Sequence, residues 1–385
     1  MSDVVIAGVG QTEVGEHWDL SLRNIAHKAI RAALNDSPDI KPTAVYIGNF
    51  LGSMISHQSN LGSIIVTNSG LDHLESYTIE AAGASGAAAL RQAYLAVKSG
   101  YVDVALAVGI DKVTDKPGQD VEEFVIQGGD YDYEGLVGLS AAGQAGLIMN
   151  RYMHEFNVVH EAFAGFAINS HENGENNPYA MYRRSIDKTA YLKAGYISEP
   201  VNRYDMAPYA DGAAAVIVTR SDLVTEIKKL IPIKIMGSSV VIDTLAIHDR
   251  KDLLSFHAAN LSVGRACNQA GISPHDVDLF ELDDAFSIYS VLQLEAAGFA
   301  KRGEGWKLAE DDKLGVQGEI PICTMGGSKS RGNALGATGL YQVVEAVQQL
   351  RGLAGKNQVA EAKIAMVQAM GGPASTVITH VLGLQ

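Results

Sequence analysis

The stretch IEAAGASGAAALRQAYLAVKSG (residues 79–100) predicts a buried strand, a tight glycine turn and a helix from about Ser85 to Lys98. Many enzymes carry a nucleophile on a turn of this shape. The centre of this turn is Gly83, which has no side chain. The stretch therefore predicts a local fold and leaves open what the turn does.

The rest of the chain continues the alternation of strands and helices, which favours a layered α/β fold. Strands are predicted at 3–10, 43–50, 76–82, 103–113, 211–220, 231–240 and 277–282, with two more within 362–383. Helices are predicted at 21–34, 139–155, 158–173, 253–271, from about Asp284, and at 333–352. Ser21 is a plausible N-cap of the first of these helices.

Two similar halves account for this order, since each half has a helix that is entered through a Gly/Ala-rich turn. We predict an N-terminal half at 1–225 and a C-terminal half at 226–385, related by a pseudo-twofold axis, with a site between them. Residues from about 114 to 210 lose the alternation and are rich in Gly, Tyr, Asn and charge. They are predicted to form a loop domain inserted over the sheet.

The composition excludes several classes of function. The 385 residues carry a formal net charge of -14, which disfavours nucleic acid and anionic membranes as partners, although a local basic patch could receive an anionic cofactor. The N-terminal residues do not resemble a signal peptide, and no apolar run reaches the length of a bilayer span. The two cysteines, Cys267 and Cys323, fit a reducing compartment, so the predicted location is the cytoplasm.

Metal and dinucleotide sites are not expected. His154, Glu155 and His160 suggest a metal motif, but the histidines are six residues apart and not on one helical face. The acidic segment 128–135 is typical of a solvated loop. The first strand ends in GVGQTE, which lacks the third glycine of a dinucleotide fingerprint.

Several segments, in this order and spacing, resemble the thiolase superfamily, and most closely archaeal acetyl-CoA C-acetyltransferases related to sterol-carrier-protein thiolases. They are VVIAGVGQTEVGEHWDLSLRNIA, EAAGASGAAALRQAYLAVKSG, NRYDMAPYADGAAAVIV, DTLAIHDRKDL, ELDDAF and GGSKSRGNALGATG. The resemblance covers essentially the whole chain. It implies two βαβαβαββ halves in a five-layer α/β/α/β/α arrangement with an inserted loop domain, assembled as a homodimer or homotetramer.

Thiolases condense two acetyl-CoA molecules or cleave a 3-ketoacyl-CoA. In the family, a cysteine takes the acyl group covalently, helped by a helix N-terminus that favours its thiolate. A histidine in a G-H-P motif activates the cysteine. A His or Asn that precedes an acidic or Glu-Ala-Phe segment helps to form an oxyanion hole.

This chain departs from the family at each of these positions. The nucleophile position is Gly83, the G-H-P histidine position is Asn333, and the oxyanion-donor position is Asp283. The last glycine turn, residues 368–372, has no cysteine to act as a second acid or base. Ordinary thiolase turnover is therefore not expected.

Each departure has a chemical consequence. Glycine cannot form an acyl-enzyme, but it clears space in which an acyl-thioester could sit. Asn333 can donate a hydrogen bond but cannot take up a proton near pH 7. An ionised Asp283 only accepts hydrogen bonds, and it could donate only if burial raised its pKa enough to keep it protonated. Loss of one oxyanion donor typically costs about 10²–10³ in rate.

The resemblance also implies residues that contact the ligand: Ser85, Phe286, Gly327, Gly336, Gly371 and Gly372. Ser85 is expected to cap the following helix. Tyr289 and Tyr341 are on helices that flank the family's site, and we expect both to pack rather than to act as acids. Cys323 is near the segment that leads to Asn333, and we interpret it as a small buried residue.

Three classes of function remain open. The first is a degenerate thiolase homologue of lipid metabolism that binds a coenzyme A ester, with no other cofactor, or serves as a structural subunit. Its expected partners are acyl-CoA, a zinc-ribbon/OB-fold protein and a 3-hydroxy-3-methylglutaryl-CoA synthase. The second is a retro-aldol lyase acting on a 3-hydroxyacyl-CoA, with Asp283 as a general base. The third is an acyltransferase that uses another nucleophile, Cys323.

Overall fold

A computed structural model describes residues 2–224, 227 and 230–384. Its strands are β1 (Val4–Gln11), β2 (Ala44–Gly48), β3 (Glu75–Ile79), β4 (Val104–Asp111), β5 (Tyr196–Ser198), β6 (Val201–Asn202), β7 (Gly212–Arg220), β8 (Ile233–Ile242), β9 (Leu279–Glu281), β10 (Ile364–Gly371) and β11 (Thr376–Leu384). Its helices are α1 (Leu22–Asp36), α2 (Leu61–Asn68), α3 (Ser85–Lys98), α4 (Gly118–Val125), α5 (Ala141–Phe156), α6 (Ala164–Glu175), α7 (Lys188–Lys193), α8 (His257–Ala270), α9 (Ser287–Ala297), α10 (Lys307–Glu310) and α11 (Thr338–Leu350).

The main sheet is mixed and has nine strands in the order β3-β2-β4-β7-β1-β8-β11-β10-β9. Strand β2 runs parallel to β3 and β4, and β9 runs parallel to β10, whereas the remaining neighbours are antiparallel. The order repeats about the β1–β8 junction, because β1, β7, β4 and β2 correspond to β8, β11, β10 and β9. The counterpart of β3 is a single parallel bridge between Phe280 and Ile322. The predicted two-half thiolase topology is thus confirmed.

The layers follow from which helices contact which strands. Helices α1 and α2 pack on the outer face of the first half, and α8 packs on β8 and β11 of the second half, with α9 against it. Helices α3 and α11 pack on each other and on strands of both halves, so they form the middle layer. Three apolar clusters fill the spaces between these layers, which gives the predicted five-layer arrangement.

The two central helices approach each other closely because small residues face the contact. A Cβ atom built on Gly86 would be only 2.7 Å from the backbone oxygen of Gly336, which is closer than side chains approach backbone atoms. This packing brings the N-terminal ends of α3 and α11 together. The site described below forms at these two ends.

The loop domain is inserted between β4 and β7, as predicted. It contains α4 to α7 and the antiparallel pair β5–β6. No helix among the described residues is long and apolar enough to cross a membrane.

Several predicted helix starts are corrected by the structure. The helix predicted from residue 333 begins at Thr338, because residues 333–337 form a turn, and the helix predicted from Asp284 begins at Ser287. Ser21 precedes α1 in extended conformation, but its side chain makes no capping hydrogen bond. The predicted boundary between residues 225 and 226 lies outside the described residues.

Candidate functional site

The turn before α3 is a strained elbow. Ala82 has φ +48°, a left-handed conformation that costs free energy for a residue with a Cβ. The hydroxyl of Ser85 donates to the Ala82 carbonyl at 2.7 Å and accepts from the Ala81 N–H at 2.9 Å. Ser85 is fully buried, and its hydroxyl closes the elbow and does not cap the helix.

A second elbow precedes α11 and repeats the first. Leu335 has φ +45°, and the turn continues through Gly336 and Ala337 into the helix. The side-chain oxygen of Asn333 accepts from the Leu335 N–H and from the Thr338 hydroxyl, each at 3.0 Å. These two bonds fix the orientation of the Asn333 amide, with its NH₂ group turned away from the elbow.

Asp111, at the end of β4, connects the second elbow to the first half. Its carboxylate accepts from the N–H groups of Gly336 at 2.7 Å, Leu51 at 2.9 Å and Phe50 at 3.2 Å. Burial raises the pKa of Asp111 to about 7, although these bonds favour the ionised form. Sequence reasoning missed this residue, and an aspartate that ends an otherwise apolar strand was the available signal.

The two elbows meet at a partly open cavity of about 80 Å³. Its walls are mainly apolar and aromatic. The lining residues are Phe50, Gly83, Val125, Ala141, Met206, Ala207, Tyr209, Asp283, Ala285, Phe286, Tyr289, Asn333, Leu335, Thr338, Met370 and Gly372. The structure therefore brings together six residues singled out from the sequence: Gly83, Asp283, Phe286, Tyr289, Asn333 and Gly372.

Other predicted contacts lie outside this lining. Gly327, Gly336 and Gly371 are buried. A Cβ would be within 2.8 Å of the Asp284 carboxylate at Gly327, of the Phe50 backbone nitrogen at Gly336 and of the Ala81 carbonyl at Gly371. These glycines allow close packing and do not line the cavity, and neither does Ser85.

The space beside Gly83 is not open in the direction of a side chain. A Cβ on Gly83 would be 2.6 Å from the backbone oxygen of Met370, at the end of β10. A Cβ at residue 83 would therefore displace the Met370 carbonyl, whereas Gly83 itself lines the cavity. The expectation that glycine clears room at the former sulfur position stays a prediction, since this contact concerns only the Cβ position.

Asp283 presents a fixed carboxylate to the cavity. One oxygen accepts from the Ala285 N–H at 3.1 Å, and the other accepts from the Met370 N–H at 3.3 Å. Burial raises the pKa of Asp283 to about 6. The group is therefore mostly ionised at pH 7, but it can take up a proton at mildly acidic pH.

Two hydrogen-bond donors in the cavity lining have no protein partner. Within the described residues, neither the Asn333 NH₂ group nor the Tyr289 hydroxyl has a hydrogen-bond partner, although both side chains are at least nine-tenths buried. Burial raises the pKa of Tyr289 well above its usual range, so its phenol stays neutral. The expectation that Tyr289 only packs therefore misses a polar group in the lining.

The loop domain contributes a further polar pair. The Tyr209 hydroxyl donates to the Glu122 carboxylate at 2.7 Å, which links the cavity wall to α4. Burial raises the pKa of both groups. Sequence reasoning singled out neither residue, because 87 residues separate them in the chain.

Cys323 and Tyr341 do not line the cavity. Cys323 is fully buried, its thiol faces the Leu282 carbonyl at 3.8 Å, and burial raises its pKa well above the usual range. A thiol in this environment is a poor nucleophile. The Tyr341 hydroxyl is hydrogen-bonded to Thr12 at 2.9 Å, in agreement with the predicted packing role.

His160 of the loop domain has a structural role. His160 is 2.8 Å from Asp205 and stacks on Tyr191, whose hydroxyl donates to Asp205 at 2.8 Å. No group of metal-ligating side chains suited to an ion occurs among the described residues.

A larger pocket of about 690 Å³ adjoins the cavity. Its cationic lining residues are Arg184, Lys193, Arg203 and Lys329, and none of the described lining residues is acidic. The pocket is therefore basic on a protein with a net charge of -14.

Met206 and Ala207 line both the cavity and this basic pocket, so they form a shared wall. The preceding residue, Asp205, holds the wall in place, because its backbone oxygen accepts from Lys329 Nζ at 2.8 Å and its carboxylate contacts His160 and Tyr191.

Comparisons with known proteins agree with this geometry. Residues 4–222 match the family described as "Thiolase, N-terminal domain", and residues 239–384 match "Thiolase C-terminal domain-like". The "Acetyl-CoA acetyltransferase" of Methanothermobacter thermautotrophicus is 35% identical over 383 residues, with 99% of both chains covered. The "Benzoylsuccinyl-CoA thiolase subunit BbsB" of Thauera aromatica is 29% identical over 374 residues, covering 96% of this chain and 94% of that one.

A solved structure, the "Ltp2-ChsH2(DUF35) aldolase", superposes with a TM-score of 0.85 over 100% of this chain and 98% of that one. Its identity to this chain is 23%, so the likeness concerns the fold alone.

Proposed function

The chain belongs to the thiolase family, and from that premise we propose that it binds a coenzyme A ester without forming an acyl-enzyme. In this proposal the thioester occupies the cavity between the two elbows. The nucleotide part of coenzyme A occupies the adjoining basic pocket. The chain acts as an acyl-CoA-binding subunit and does not carry out thiolase turnover.

The observation that carries the proposal is the contact between the first elbow and β10. Residue 83 has no side chain, and the Met370 carbonyl is 2.6 Å from the point where a Cβ would be. No reacting atom can be attached at this position without displacement of the backbone. Covalent catalysis needs an activated nucleophile, and Asn333 cannot activate one as a general base.

Retained binding is supported by the groups that remain. The NH₂ group of Asn333 can donate to a thioester oxygen, and the apolar walls suit a short acyl chain. Arg184, Lys193 and Arg203 are exposed cations in the adjoining pocket and can bind phosphate groups.

Titration calorimetry with acetyl-CoA, paired with an assay for acetoacetyl-CoA and intact-mass analysis of the protein, tests the proposal. We expect saturable binding, no acetoacetyl-CoA and no acetyl adduct. Either an adduct or turnover would contradict the absence of an acyl-enzyme. A lack of binding to any acyl-CoA would contradict the ligand assignment.

A retro-aldol lyase is the second candidate, favoured by the Asp283 carboxylate in the cavity lining with a pKa of about 6. In this step Asp283 takes the proton of the 3-hydroxyl, and the C2–C3 bond breaks. An aldehyde or ketone leaves, and the electron pair of the broken bond forms the thioester enolate, which is then protonated at C2. Asn333 would donate to the enolate oxygen.

Incubation with a 3-hydroxyacyl-CoA, followed by detection of a carbonyl product, tests this second candidate. Asp283→Asn should abolish product formation. An unchanged rate in that variant would exclude Asp283 as the base.

We also propose that the chain works as an oligomer. Strand β3 is at one edge of the sheet, with Tyr77 42% exposed, so its outer edge can pair with a second copy. A zinc-ribbon/OB-fold protein and a 3-hydroxy-3-methylglutaryl-CoA synthase remain proposed partners. Light scattering of the purified chain should give the mass of a dimer or tetramer, and a monomeric mass would contradict the proposal.

A further inference from the structure

Tyr289 differs from every other buried tyrosine in the described chain. Five tyrosines are buried, and four of their hydroxyls are hydrogen-bonded to a side chain: those of Tyr46, Tyr152, Tyr191 and Tyr341. Tyr289 is only 4% exposed, and within the described residues its hydroxyl has no partner. The hydroxyl is not among the fully buried polar atoms without a partner, and Tyr289 lines the cavity, so this oxygen is accessible to a ligand atom.

The Tyr289 ring is held rigidly beside the cavity. Its neighbours Phe256 and Phe286 contact it edge to face, with ring centroids 5.6 Å and 5.1 Å away. The residue is in the first turn of α9, directly after the loop that carries Asp283. The hydroxyl direction is therefore set before a ligand arrives, which lowers the entropic cost of binding.

Tyr289 and Asp283 offer complementary hydrogen bonds in one cavity of about 80 Å³. The neutral phenol donates, and the carboxylate accepts. An alcohol is the oxygen group that matches both, because it accepts one hydrogen bond and donates another. A keto oxygen would face the carboxylate without a proton to share, and a methylene group would leave both side chains unpaired.

We propose that Tyr289 is the specificity-determining residue that recognises a hydroxyl on C3 of the acyl chain, so that the ligands of this cavity are 3-hydroxyacyl thioesters. The inference rests on the proposed function, since it assumes that the thioester enters the cavity. In this arrangement Asn333 binds the thioester oxygen, while Tyr289 and Asp283 bind the 3-hydroxyl. Tyr289 touches the ligand and takes no proton from it.

The test compares butyryl-CoA with 3-hydroxybutyryl-CoA, which differ by one hydroxyl. Their dissociation constants are measured by titration calorimetry for wild type, Tyr289→Phe and the matched control Tyr341→Phe, whose hydroxyl is bonded to Thr12 away from the cavity. Mass spectrometry of the recovered ester checks that it is intact. If 3-hydroxybutyryl-CoA is cleaved, its kcat/KM in Tyr289→Phe is compared with that in wild type and Tyr341→Phe, because butyryl-CoA has no 3-hydroxyl and cannot be cleaved.

We expect wild type and Tyr341→Phe to bind the hydroxylated ester on the order of tenfold more tightly than butyryl-CoA. In Tyr289→Phe the preference should fall to about twofold or less. The ratio of two ligands within one variant does not depend on the folded fraction, so a merely structural role would leave it unchanged.

The outcomes separate the two proposals. If both esters bind but the ratio is the same in wild type and Tyr289→Phe, the role of Tyr289 is excluded and the proposed function stands. A wild type that prefers butyryl-CoA would also exclude it. If neither ester binds to wild type, the proposed function fails, and this inference fails with it.

Discussion

The Met370 carbonyl oxygen is 2.6 Å from the point where a Cβ of residue 83 would be, so β10 closes the elbow from which the family's nucleophile projects. A methyl group at this position must displace backbone, and overpacking of this kind costs about 1–3 kcal/mol. Gly83→Ala should lower the free energy of unfolding by about this amount in urea titrations. Gly83→Cys should fold less stably as well and should not gain thiolase turnover.

Gly264 provides the control for this prediction. It is in α8, and a Cβ there would meet no atom within 4 Å. Gly264→Ala should leave stability unchanged or raise it by up to about 1 kcal/mol, because alanine is the better helix former. Equal free energies of unfolding for Gly83→Ala and wild type would contradict the prediction, because they would show that the Met370 carbonyl at the end of β10 can move without loss of stability.

Asp283 should make stability depend on pH in a defined window. Its pKa is raised to about 6 in the folded chain, whereas an unfolded aspartate titrates at about 3.9. Between these two pH values the folded chain keeps the Asp283 proton and the unfolded chain loses it. The contribution of this proton to the free energy of unfolding is therefore lost as the pH rises from about 4 to about 6. The difference in free energy of unfolding between wild type and Asp283→Asn should change over that window and be constant above pH 7.

The measurement is a set of urea titrations of both proteins between pH 4 and 8. Other buried acids titrate in the same range, including Asp111 with a pKa of about 7, so only the difference between the two proteins is informative. A difference that does not change between pH 4 and 6 would show that the Asp283 pKa is not raised.

Asp111 should be a positioning residue for the second elbow. Asp111→Ala leaves the N–H groups of Gly336, Leu51 and Phe50 without their acceptor in the core, and each such loss costs about 1–3 kcal/mol. We expect a loss of at least about 3 kcal/mol, measured by urea unfolding. Asp115→Ala is the control, because that side chain is 51% exposed and its partner Lys112 keeps an ion pair with Asp211 at 3.3 Å.

Lys193 should contribute to the affinity for coenzyme A esters. Lys193→Ala should weaken acetyl-CoA binding by about fivefold at low salt and by less at high salt, because phosphate contacts of exposed cations are screened. Lys188 is also in α7 but pairs with Glu161 and does not line the basic pocket. Lys188→Ala should bind as wild type does, and equal losses in both variants would point to net charge and not to a contact.

The sequence predicted the elements best where the pattern is local. Helix α3 begins and ends at Ser85 and Lys98 as expected, because the elbow and the C-terminal Ser-Gly mark both ends within one stretch. The predicted start of α11 at residue 333 was wrong, since the helix begins at Thr338. There, Asn333 pairs with the segment at Tyr209, and Leu335 adopts a left-handed conformation that no local pattern signals.

The candidate site was predictable only where the family pattern marks a position. Gly83, Asp283 and Asn333 are brought together in one cavity as the resemblance implied. The blocked space beside Gly83 depends on Met370, which is 287 positions further along the chain and contributes only its backbone. Tyr289 was visible in the sequence, but its significance depends on the missing partner of its hydroxyl, which only three-dimensional contacts reveal.

The position of Asp205 has a consequence for recombination between this chain and its relatives. One carboxylate joins His160 and Tyr191 of the loop domain to the wall between the cavity and the basic pocket. His160, Tyr191 and Asp205 all lie within the loop domain. The Asp205 backbone oxygen accepts from Lys329 Nζ of the C-terminal half at 2.8 Å, so a chimera that receives a foreign loop domain would have to keep this contact. The loop domain and the two halves are therefore not independent modules, and recombination between relatives should succeed only where its crossover points leave this contact intact.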